Sequence, residues 1–271
     1  MKKHLIMVAV VALSIGSFGS LREARAQGLL QVTFDRDTWP TEEVQRTIVI
    51  PQDMTQLQLS AGLFTFSFGD SASATQYAIT PMMEYGVTAN ISVGATYDVG
   101  IFSSDNGMGG SSTDTNLSAG SVFAIARPFN SYDLGIEVGI PFELSGPTNI
   151  DVELQLVGRL VVSLDRIALF FNSGIATNVY QESQTTADGM MVTPDEPTQF
   201  LANAYLACQL NTQLSLAPGM TFTHAGDFNG LALYGRVQFA IDHQFDLFGI
   251  VGYQVGDEKG TLVTVGANMW L

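Results

Sequence analysis

Basic residues are scarce in this 271-residue chain: 11 Lys and Arg stand against 26 Asp and Glu, for a formal net charge of −15. A chain of that sign repels phosphate backbones, so nucleic acid is not expected as a partner. Cysteine is nearly absent. Cys208 stands alone, so no intrachain disulfide can brace the fold. Histidine occurs three times, as His4, His224 and His243. None sits in a nucleophile motif, and no His/Cys cluster has metal-ligand spacing. No catalytic constellation, metal site or cofactor is therefore expected. Beyond residue 26 no apolar run reaches about 18 residues, which leaves no candidate transmembrane helix. A mean hydropathy of +0.22 must then come from many short, apolar-faced segments.

The N-terminus has the form of a signal peptide. Lys2 and Lys3 precede an apolar run at 5–15, and Ala24-Arg25-Ala26 offers a small-residue cleavage site. Residues 1–26 are accordingly set apart from the fold. They hold four Lys/Arg and one Glu, so their removal takes the net charge from −15 to −18. Residues 27–55 do not alternate. Asp35, Arg36 and Asp37 are charged, and Trp39-Pro40-Thr41-Glu42-Glu43 starts like a helical turn. This stretch reads as a periplasmic N-terminal extension, with an added edge strand or a small plug as alternatives.

From residue 56 the pattern changes to period two. Twelve candidate strands follow, at 56–68, 76–85, 90–101, 117–127, 132–144, 150–164, 166–179, 199–210, 213–224, 231–241, 245–255 and 261–271. The fifth alternates most cleanly: Tyr132, Leu134, Ile136, Val138, Ile140 and Phe142 oppose Asp133, Gly135, Glu137, Gly139 and Glu143. In the first, apolar residues switch faces between Leu63 and Phe64, which predicts a bulge near Gly62. Pro81, Pro141 and Pro218 interrupt strand patterns and predict bulges or strand ends. Connections at 86–89, 128–131, 165, 211–212 and 242–244 are short. Those at 70–75, 103–116, 145–149, 180–198, 225–230 and 256–260 are mostly longer and polar. The Gly/Ser-rich stretch 103–116 reads as a loop able to fold inward as a constriction.

The last strand carries Thr261, Val263, Val265, Ala267, Met269 and Leu271 on one face, and Leu262, Thr264, Gly266, Asn268 and Trp270 on the other. With its terminal aromatic-hydrophobic pair, the signal peptide and the alternating strands, the chain resembles bacterial outer-membrane β-barrel proteins of porin-like form. The resemblance implies an all-β fold: a single antiparallel, up-and-down transmembrane barrel of about 12 strands over residues 56–271. It also implies insertion by the barrel assembly machinery into a membrane of lipid and lipopolysaccharide. Physics supports closure, because in lipid an open sheet edge has no partner for its N–H and C=O groups. A secreted β-sandwich is the soluble alternative.

With this alternation, the faces opposite lipid carry Glu84, Asp98, Asp133, Glu137, Glu143, Asp151, Glu153, Arg159, Arg166 and Arg236. Pairing of the fifth and sixth strands would set Glu143 near Asp151, and Arg159 near Glu137 and Asp133. Lumen acids favour cations through their local field. Ion-paired filling of a narrow barrel is the structural alternative. The expected function is passive passage of small solutes or cations. A closed structural or adhesive barrel with acidic outer loops is the second reading, and a surface hydrolase built on His224 and Asp227 the third.

Overall fold

The computed structural model describes residues 34–35, 37–68, 72–105, 111–128, 133–143, 148–163, 166–185, 191–192, 197–226, 228–256 and 259–271. Residues 1–26, read from the sequence as a signal peptide, and the acids Asp70, Asp188, Asp195, Glu196, Asp227, Asp257 and Glu258 of the sequence-predicted outer loops lie outside the described residues.

The strands are β1 Thr55–Phe68, β2 Ala72–Thr88, β3 Ile91–Asp105, β4 Ser111–Ala126, β5 Leu134–Glu143, β6 Asn149–Ser163 and β7 Ile167–Gln181. There follow β8 Gln184–Thr185, β9 Met191–Val192, β10 Gln199–Gln209, β11 Leu214–Ala225, β12 Phe228–Ala240, β13 Phe245–Gly256 and β14 Lys259–Trp270. Among the described residues twelve of these form a closed antiparallel barrel, while β8 and β9 pair only with each other. The ring closes where β1 meets β14, from Gln56↔Trp270 to Ser67↔Lys259. The barrel strands run from 10 to 17 residues. A tilted membrane strand needs about 9–11, so even the shortest can cross a bilayer.

Alternation decides what each face meets. Leu59, Ile79, Val99, Val138, Leu154, Ile175, Leu233, Val251 and Val265 all point outward and are exposed. An apolar belt of that extent has no place in water. Against lipid it is the favourable surface, and closure satisfies the backbone. Cys208 pairs across to outward Leu216, so it belongs to the same belt.

Three local expectations are corrected. The first strand has no bulge near Gly62: its register to β2 and β14 is continuous. Phe64 and Phe66 instead point into the lumen, edge to face at 3.9 Å. The prolines do not bulge the sheet either. Pairing of β2 with β3 passes from Ile79↔Val99 to Met82↔Thr96 across Pro81 with the register kept. The same holds across Pro141 between β5 and β6, and across Pro218 between β10 and β11. Each proline lacks an N–H, so it costs ladder bonds but not alignment. Finally, 103–116 does not fold inward over its described part. Ser103↔Thr113 and Asp105↔Ser111 extend the β3–β4 hairpin instead.

Residues 39–54 pack inside the barrel, at the end that carries the short turns. The segment makes one turn of 3-10 helix at Glu43–Gln45 and joins no sheet. Trp39, Val44, Val49, Ile50 and Met54 are buried. Val44 packs with Ala168, Ala207 and Ala217, small residues that leave it room. Val49 meets Ile125 and Val157. Trp39, Ile50 and Met54 meet Trp270, which therefore faces inward. The segment joins β1 through Asp53, whose φ of 62° is the one positive value outside glycine among the described residues. Gly86 permits this close approach, since a Cβ there would lie 1.9 Å from the Pro51 carbonyl oxygen. Just ahead of the plug, Thr38 donates to Asp35 through its hydroxyl (2.7 Å) and its N–H (2.9 Å). Those bonds hold the Asp35 carboxyl below its ordinary range.

Candidate functional site: a two-tier lumen

The lumen has two tiers. The lower one, at the short turns, is built where the plug meets the wall. Arg46 reaches from the plug to Asp246 at the start of β13, with Nη2 donating to Oδ1 at 3.0 Å and Nη1 paired with Oδ2. Its Nε also donates to the Pro40 carbonyl (2.9 Å), and its guanidinium lies over the Trp270 ring, 4.2 Å from the centroid. Glu43 pairs with Arg236 and accepts from the Ser215 hydroxyl. Asp133 stands between Arg159, at 2.7 Å, and Arg127, at 3.3 Å. It also accepts the Ile48 N–H, while Arg159 donates to the Val44 carbonyl at 2.8 Å. Buried charges persist only when paired, and each of these has an ion-pair partner.

The upper tier begins just above. Glu84 accepts the Ser92 hydroxyl at 2.6 Å. Glu137, Glu153 and Asp151 continue up the β5–β6 wall, Glu137 across from Gln155 and Glu153 across from Gly139. Glu153 accepts from the Gln155 amide, and Asp151 from the Asn178 amide at 3.1 Å. Asp98 accepts the Thr80 hydroxyl. The facing wall is neutral: Asn203 accepts from Tyr234 at 2.7 Å and from Thr221 at 3.1 Å. A cavity of about 150 Å³ separates plug and walls, lined by Trp270, Glu84, Gln56, Gln58 and Asn268 among others. A second, of about 230 Å³, lies higher, between Thr221, Thr223, Ala232 and Gln254.

The structure thus sorts the charged residues singled out in the sequence. Asp133, Arg159 and Arg236 fall in the lower tier. Glu84, Asp98, Glu137, Asp151 and Glu153 fall in the upper. Glu143 is exposed at the end of β5, opposite Asn149 rather than Asp151. Arg166 is not a lumen residue. Its strand starts one residue later, at Ile167, so Arg166 is exposed in the short turn and its N–H bonds the Ser163 carbonyl. Glu43, Arg46, Arg127 and Asp246 complete the lower tier and were not singled out. The lumen parity of Asp246 with Phe248 and Ile250 was the available signal. Among the described residues no three His, Cys, Asp or Glu side chains are arranged to hold a metal ion. His224 faces Asn229 at 2.9 Å.

A closed antiparallel ring, a lipid-compatible outer belt and a polar lumen together define an outer-membrane β-barrel. Solved structures agree on that fold. The β domain of the Bordetella autotransporter BrkA superposes with a TM-score of 0.54 at 10% identity, over 80% of this chain and 99% of its own. The transport unit of the Escherichia coli autotransporter AIDA-I gives 0.54 at 11%, over 80% and 90%. A KdgM porin gives 0.50 at 10%, over 78% and 98%. No protein-family model and no curated protein sequence matches the chain.

Proposed function

We propose that this barrel is a porin-like outer-membrane channel for small solutes, with a preference for cations. One observation carries the reading. Among the described residues all four ion pairs lie in the lower tier, and none reaches Glu84, Asp98, Glu137, Asp151 or Glu153. The upper lumen is therefore acidic on one wall and neutral on the other. Such a field concentrates cations and repels anions. Interior carboxylates serving only as filler would be matched by arginines, as they are below. Membrane lipid, lipopolysaccharide and the barrel assembly machinery are its partners on this reading. The KdgM structure bears the name porin, which accords with it.

Conductance of the refolded protein across a planar bilayer, under a KCl gradient, tests the proposal. Discrete steps with a cation-selective reversal potential are expected. The plug favours a second reading, a closed structural barrel. A correctly folded protein that stays silent at every voltage would support it.

A further inference from the structure

We infer that residues 39–54 are a displaceable gate and not a permanent core. This rests on the channel reading above, because a gate implies a conduit. Three features of the seat carry it. First, the plug adds no strand, and the ring closes from β1 to β14 without it. Leaving breaks side-chain contacts and a few hydrogen bonds, but no sheet ladder. Second, much of the exposed seat would tolerate water. Ser215, Gln238, Asn268 and Asp246 are polar, and Asp133 keeps Arg127 and Arg159 as partners without the plug. A core built to stay dry would line such a wall with large apolar side chains. Third, the segment's backbone runs into the barrel at β1, next to the left-handed Asp53 and the cleared space at Gly86. That is where backbone rotation would swing it. Arg46 is the latch: it pairs with Asp246 and lies over the Trp270 ring.

The test uses the full mature chain with Cys208→Ser, so that introduced thiols are the only ones. Val44→Cys with Ala207→Cys, from one packed cluster, would lock the gate by a disulfide. Oxidation should cut channel opening at least tenfold, and a reductant should restore it. Arg46→Ala should raise opening. Val44→Cys alone, in lipid vesicles, should react with a water-soluble maleimide only when the plug leaves, since Val44 is buried. Current indifferent to a verified disulfide overturns the gate and means that solutes pass beside a fixed plug. Absence of both labelling and current also overturns it. Labelling without current at any voltage shows a displaceable plug without a conduit: it removes the channel reading and overturns the gating role with it.

Discussion

The two halves of the lumen treat charge in opposite ways. In the lower half, Glu43, Asp133 and Asp246 are matched by Arg46, Arg127, Arg159 and Arg236, and side chains from the plug complete the set. In the upper half, the acids are tethered by hydroxyls and amides, as Glu84 is by Ser92 and Asp151 by Asn178. Both halves share one barrel, one strand alternation and one lipid belt. What differs is whether the plug fills the space inside. Where it does, unpaired charge would be prohibitive, and arginines match the acids. Where it does not, carboxylates held only by neutral hydroxyls and amides remain, and their field extends across the opening.

Asp133→Asn should blur the contrast most. It would leave Arg127 and Arg159 together with no acid between them, a loss of about 3–5 kcal/mol by analogy with broken buried pairs. The urea midpoint of the refolded barrel, followed by its heat-modifiable gel mobility, would fall accordingly. Glu137→Gln with Glu153→Gln should strike the upper half alone. The reversal potential would move toward that of a non-selective pore while the urea midpoint held. An unchanged potential would mean that these acids play no part in ion preference. Gly86→Ala should reach only the plug. The new Cβ meets the Pro51 carbonyl oxygen at 1.9 Å, and overpacking of that kind costs about 1–3 kcal/mol. Maleimide labelling of a Val44→Cys probe should accelerate, with ion preference unaltered. The smallest effect is that of salt. Raising KCl from 0.1 to 1 M shortens the screening length from about 10 to about 3 Å. Cation preference should weaken, whereas the buried pairs below should lose little stability.

The barrel was legible because lipid and lumen impose period two on every strand. Residues such as Ile136, Glu137 and Val138 announce their faces locally. The plug was legible only as one alternative for residues 27–55, for the opposite reason. Trp39, Val44 and Val49 have no common period, and their burial depends on walls far along the chain, from Ile125 to Trp270. Arg46 finds Asp246 at a separation of 200 positions, a pairing no local pattern encodes. The same limit explains smaller differences. Arg166 lies one residue from a strand boundary, where alternation stops carrying information. Ser103–Asp105 lacks apolar residues, yet backbone pairing alone extends the hairpin. Phe64 and Phe66 resemble a shifted lipid face until their register shows them inside.

The inward turn of Trp270 bears on the order of assembly. The seat of the plug draws on β7, β10, β11, β12, β13 and β14, while its root is β1. It cannot be completed until the final strand of the ring has come home against the first, joining Gln56 to Trp270 across nearly the whole chain. Contacts so distant in sequence form late and slowly. A nascent barrel would therefore remain hydrated inside through most of its maturation. Sealing of the seam and docking of Trp39 against Trp270 would then fall together, as the closing event of biogenesis.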